Sequence, residues 1–262
     1  MEVTFQNPGV EYMIDSIMGF QTEEETDFWS APLYYFYPQL DQGCAAALSF
    51  PEKQRYIADT MRRVYAELEP ELNEKVSSYS RRWEECREQI TAALSDAFDV
   101  DCRRLFPDLR CNLSLNPICP RFLKERYFDV FYQNSPRGAV GVAIHELVHF
   151  VWFYVWNRTF RDSADEYERP SLKWILSEMV VESVMRDPRL ASINPYFPRE
   201  EGGCIYPYFF DMTAGGVPIL DTLDAMYKSQ PIRDFMRSSY AYCQAHEAEI
   251  RSHMQRAEEQ GG

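Results

Sequence analysis

Positive charge is scarce in this chain. Its 262 residues carry 27 Lys and Arg against 41 Asp and Glu, a formal net charge of −14. Such a surface repels phosphate backbones and anionic lipid, so neither nucleic acid nor a membrane is expected as a partner. Paired cysteines are lacking as well. The seven present (Cys44, Cys86, Cys102, Cys111, Cys119, Cys204 and Cys243) are odd in number and form no CxxC, which argues against a disulfide framework or a zinc knuckle. Scattered, reduced, mostly buried thiols are expected. The opening stretch MEVTFQNPGVEYMIDSIMGF has no basic segment leading into an apolar one, so no secretory signal is read and a cytoplasmic location is expected. No internal repeat or low-complexity tract stands out.

What the chain has in quantity is apolar and aromatic mass, 45% and 15% of its residues, enough for a sizeable core. The expected organisation is a mostly helical N-terminal part over residues 1–110 and a second part over 111–262, as two subdomains or one compact unit. Residues 1–50 read as irregular and aromatic, and the acidic run Thr22–Asp27 as a solvated loop or helix start. Ser49 followed by Pro51 predicts a helix N-terminus, and the helix should run to about Leu68, before Pro70. A second amphipathic helix is predicted over about Pro70–Phe98, from Leu72, Val76, Tyr79, Trp83, Ile90, Leu94 and Phe98, giving an antiparallel pair. Strands are expected within Cys111–Cys119 and over Tyr127–Tyr132. Ser135-Pro136 then caps a helix whose residues from Gly138 to Trp156 are almost wholly apolar. Helices are also predicted over Ser171–Asp187 and from Pro231 to about Arg256, with a Gly/Pro-rich connector, Pro195–Pro218, between them. The fold class is therefore α+β, mainly α, with a small antiparallel or mixed sheet before a buried helix and a helical C-terminal part.

The buried helix carries His145-Glu146-Leu147-Val148-His149, which fits HExxH. Residues i and i+4 share one face of a helix, so two imidazoles can converge on one ion. Glu146 is turned about 100° away from His145, toward a water held at the ion rather than the ion itself. Half of the chain's four histidines sit in this single turn. Burying two imidazoles and a carboxylate costs several kcal/mol unless they are paired or metal-bound. A zinc ion would need a third protein ligand and an open position. Glu178 and Glu182 stand at i and i+4 in the next apolar helix, so one could ligate while the other orients an imidazole. Asp162, Asp165, Glu166 and Glu168 are within reach by distance along the chain, but they lie in the polar stretch RDSADEYERP, which reads as a surface loop.

With these residues, the region over roughly 111–187 resembles the gluzincin clan of zinc metallopeptidases, the thermolysin-like group. The resemblance implies a zincin-like fold, Zn2+ as cofactor, His145, His149 and Glu178 as ligands, and Glu146 as general base. It places Glu182 in the second shell, where the clan usually has Asp. It also implies that a strand before the active-site helix pairs with extended substrate, Tyr127–Tyr132 being the candidate. A Tyr or His after the third ligand should stabilise the oxyanion: Tyr206, Tyr208, Tyr240, Tyr242 and His246 are the candidates, while His253 reads as an exposed helix residue. The implied activity is hydrolysis of a peptide or protein substrate. Two alternatives stand beside it: a non-catalytic interaction scaffold on the same fold, and a zinc hydrolase of a non-peptide bond. An intramembrane protease is disfavoured, because no second apolar span exists.

Overall fold

Four strands form the main sheet of the protein, in the order β1 (Val3–Gln6), β2 (Leu109–Ser114), β4 (Tyr127–Phe131) and β3 (Arg121–Phe122). In this computed structural model, which describes residues 1–194 and 203–259, β1 and β4 lie parallel to β2, with Phe5 opposite Cys111 and Cys111 opposite Phe128. Strand β3 closes one edge antiparallel to β4. The sheet is small and mixed, it precedes the buried helix in the chain, and the C-terminal part is helical, as the sequence implied.

Residues 1–50 are more ordered than their composition suggested. After β1 come α1 (Val10–Met18), α2 (Asp27–Phe36) and α3 (Gln42–Ala46). The acidic run before α2 is turn and loop, ending in the helix start at Asp27. β1 was hidden because only four residues long and paired with a strand more than 100 positions away, it leaves no local pattern.

The largest departure is α4. Phe50–Phe98 is one 49-residue helix, not an antiparallel pair broken at Pro70. Its start follows a capping box: the Ser49 backbone N–H donates to the Glu52 carboxylate at 3.0 Å. A proline inside a helix removes one backbone hydrogen bond and costs about 3 kcal/mol. Here Pro70 and Ala66, whose carbonyl loses its donor, both face solvent, where water can take the vacant acceptor. The inward face continues unbroken through Val64, Leu72, Tyr79 and Trp83. Burial along that face outweighs one local defect.

The chain divides into two compact units, one built mainly of Glu2–Glu85 and Pro107–Val140, the other of Cys86–Phe106 and Gly141–Ala257. In the first, the sheet packs on α4: Phe5 lies 6.2 Å from Tyr79 and 6.5 Å from Trp83, and the Tyr37 hydroxyl donates to the Leu115 carbonyl at 2.6 Å. Asp129 on β4 is wholly buried there, accepting from the hydroxyls of Tyr12 and Ser16.

The second unit is organised around α5 (Pro136–Phe160, from Gly141 onward) and α6 (Leu172–Met185). Both begin as the sequence predicts. Ser135 Oγ accepts from the Gly138 N–H at 3.0 Å and Ser171 Oγ from the Trp174 N–H at 3.1 Å, each capping a helix N-terminus. All fourteen residues of α6 are buried, and α5 is apolar on every side, so both are core helices. α5 is also long and apolar enough to cross a membrane by composition, but most of its apolar window is buried within the protein. The short α7 (Pro188–Ala191) follows, then α8 (Ile219–Ser229), α9 (Ile232–Ala245) and α10 (Glu247–Glu259). Thus the predicted C-terminal helix is two helices broken at His246, whose φ of −116° and ψ of 15° leave the helical basin. α9 packs on α5 through Trp152–Phe235 and Trp156–Tyr240.

Of the predicted connector, residues 195–202 lie outside the described residues. The remainder contains a 3-10 turn at Pro207–Phe209 and a hairpin of β5 (Thr213–Ala214) and β6 (Val217–Pro218). Gly215 and Gly216 form its two-residue turn with φ of +58° and +79°, the pair of positive angles that a tight hairpin turn of this hand requires.

Candidate metal centre

α5 and α6 bring His145, Glu146, His149 and Glu178 together, the two histidines as their spacing implied and Glu178 as the resemblance implied. The Nε2 atoms of His145 and His149 face each other at 3.1 Å. Glu178 bridges the two, its Oε2 lying 3.6 Å from the first and 3.5 Å from the second. Glu146 Oε1 approaches His145 Nε2 at 3.9 Å, and the ligand atoms of the His145, Glu146 and His149 group all lie within 4.8 Å of one another. His149 is fully buried and Glu178 nearly so, while His145 keeps a partly open edge.

The three donors Nε2, Nε2 and Oε2 form a triangle whose size can be tested against an ion. Zinc bound at about 2.0–2.1 Å in tetrahedral geometry spaces its ligands about 3.4 Å apart. Edges of 3.1, 3.5 and 3.6 Å put the centre of this triangle about 2.0 Å from each donor. The donors therefore fit such an ion without rearrangement. Other hard or borderline divalent cations share this mixture of imidazole and carboxylate, so the donor set marks a metal site without naming the metal.

Hydrogen bonding fixes the direction of one ring. His145 Nδ1 lies 2.9 Å from the Cys204 carbonyl. A carbonyl only accepts, so Nδ1 carries a hydrogen and Nε2 is turned toward His149 and Glu178. Burial opposes a charge on this imidazole, but the Cys204 carbonyl, the Glu178 carboxylate and the negative charge of Glu146 outweigh it and push the His145 pKa up to about 10.

Glu182 lies one turn beyond Glu178 and is buried, with Oε1 3.3 Å from Arg186 Nη1. The acids of the 162–168 loop are occupied elsewhere: Asp162 accepts from Trp156 Nε1 at 2.9 Å, and Lys173, almost buried at the start of α6, is paired with both Asp162 and Glu166. Among the oxyanion candidates, Tyr206 and Tyr208 are stacked 5.5 Å apart on the segment whose Cys204 carbonyl meets His145. Tyr240 packs edge-on against Trp156. Tyr242 lies beside His246, whose Nδ1 is 2.9 Å from Glu249, in the C-terminal helices. His253 is half-buried rather than exposed, with Nε2 2.8 Å from the Tyr208 carbonyl. Sequence reasoning missed Cys204, because a backbone acceptor has no residue signature, and Arg186, which its i+4 spacing from Glu182 could have revealed.

Fold and site define a mainly helical α+β chain with a buried His-Glu-His group and a bridging glutamate able to hold a metal ion. No protein-family profile, characterised protein or solved structure matches the chain.

Proposed function

We propose that the protein is a zinc-dependent hydrolase, and within that class a metallopeptidase of gluzincin type acting on peptide or protein substrates in the cytoplasm. The observation that carries the reading is the triangle of His145 Nε2, His149 Nε2 and Glu178 Oε2, sized for a tetrahedral ion, with the Glu146 carboxylate beside it. A purely structural zinc would be closed by a fourth protein ligand and would need no adjacent base.

His145, His149 and Glu178 would hold the ion. When bound, zinc supplies Lewis acidity, which lowers the pKa of a coordinated water toward about 7 and polarises a carbonyl. Glu146 then has the part of general base. Its Oε1 takes the proton of the attacking water and passes it to the leaving amine, so the carboxylate ends the cycle as it began. Burial of Glu146 keeps bulk water from competing for that proton. Cys204 would hold His145 in the orientation that turns its Nε2 toward the ion. Glu182 is the supporting acid of this reading, and Tyr206 and Tyr208, on the segment that meets His145, are among its candidate donors for a developing oxyanion.

The test is Glu146→Gln assayed on a mixed peptide library. The variant should retain one zinc per chain and lose hydrolysis by at least about 100-fold. Full activity in the variant would refute the mechanism. A wild type that binds zinc yet cleaves nothing would favour the scaffold reading, and cleavage confined to esters would favour the non-peptide one.

A further inference from the structure

We infer that the segment Gly203–Phe209 is the positioning element of the metal centre, and that the C-terminal helix α10 sets metal affinity through it. The inference rests on the metal-centre reading above. Its starting point is that the partner of His145 Nδ1 is a peptide carbonyl on a separate segment, 59 positions along the chain. The direction of the ligand's lone pair therefore depends on where that segment sits.

Three observations show how it is held. Gly203 has φ of +61°, a left-handed angle, and a Cβ built on it would meet Phe210 Cζ at 2.2 Å. A side chain here would be strained at that angle and would displace the Phe210 ring, so glycine suits the turn that delivers the next carbonyl, that of Cys204, to His145. Tyr206 stacks on Tyr208 with an interplanar angle of 5° and leans on Trp174 at 6.0 Å. Trp174 stands one turn before Glu178 on α6, so the segment is registered against the helix that supplies the third ligand. Finally, His253 of α10 lies with Nε2 2.8 Å from the Tyr208 carbonyl and can donate to it. The contacts run in series from α10 to Tyr208, through the Pro207–Phe209 turn to Cys204, and so to His145 Nδ1. His253 meets the Tyr208 carbonyl, and Gly203 precedes the residue whose carbonyl meets His145. They act through the His145 ring as positioning residues.

Loss of an outer partner of a metal-bound histidine typically weakens metal binding about 10–100-fold. The experiment measures zinc dissociation constants of the full chain by competition with a chromophoric chelator, and records visible spectra of the cobalt-substituted protein. Gly203→Ala should weaken zinc about 10–100-fold and shift the cobalt spectrum. His253→Ala should weaken it in the same direction by up to about tenfold, and His253→Gln, whose amide can still donate to the Tyr208 carbonyl, should restore it. If Gly203→Ala fails to fold, the two His253 variants decide. Wild-type affinity and spectrum in both Gly203→Ala and His253→Ala would overturn the inference alone. A wild type that takes up no zinc would overturn the metal-centre reading and this inference with it.

Discussion

Zinc should raise the thermal stability of this protein only while Glu178 is present. The triangle of donors already has the size an ion needs, with edges of 3.1, 3.5 and 3.6 Å, so binding need not spend free energy on rearranging α5 against α6. A ligand that binds only the folded chain stabilises it by RT ln(1 + [L]/Kd), or about 2.7 kcal/mol at a free concentration of 100 Kd. For a chain of this size each kcal/mol moves the midpoint by about 2–4 °C, so zinc in that excess should raise it by about 5–10 °C. The assay is differential scanning fluorimetry of chelator-stripped protein in buffered zinc. Glu178→Ala removes the donor that bridges both imidazoles and should flatten the response. Glu146→Gln leaves all three ligands in place and should shift as the wild type does. No zinc response in the wild type, or an equal one in Glu178→Ala, would refute the assignment of this triangle as the metal site.

Other predictions probe the scaffold. Burial raises the pKa of Asp129 to about 6 against the donors Tyr12, Ser16 and Asn112, so the fold prefers the neutral acid; its stabilising contribution is complete below about pH 4 and is lost as pH rises through 6. Asp129→Asn should therefore gain about 3 kcal/mol on the wild type between pH 4 and pH 7 in urea unfolding of the metal-free chain, and a pH-independent difference would contradict the buried carboxyl. Pro70→Ala restores a backbone donor at an exposed position inside α4 and should stabilise the protein by up to about 3 kcal/mol. An unchanged or lowered midpoint would favour a chain break at Pro70.

The legible parts of this molecule are those whose signals are local. α5 and α6 could be located because each joins a serine cap to a long apolar run, and because polar groups inside such runs have few explanations other than pairing or a metal. For the same reason Glu178 was within reach: it is an acid in a helix with no solvent face. Pro70 misled because its cost is local while the burial that offsets it is spread along a whole helix face. β1 and the break at His246 were hidden for the opposite reason, being set by partners far along the chain and by backbone angles that no residue type demands. Cys204 shows the limit most clearly. The atom that orients His145 belongs to a peptide bond, and every residue has one.

The burial of this site also bears on why it exists. Glu146, Glu178 and Glu182 are all within 4% of full burial, and the ion pair shown at Glu182 is made by an arginine that is itself exposed. Buried carboxylates facing imidazoles are a poor way to stabilise a protein, since the cost of removing them from water is several kcal/mol each and hydrophobic residues of similar size often do as well or better. The pKa of His145 reflects the same charges: against burial, the Cys204 carbonyl and the Glu178 and Glu146 carboxylates push it up. A divalent ion held by His145, His149 and Glu178 would offset the negative charge of Glu146 and Glu178 and would require both imidazoles to be neutral, the form that ligates. Two carboxylates and two imidazoles converging between α5 and α6 are a donor set able to hold a cation.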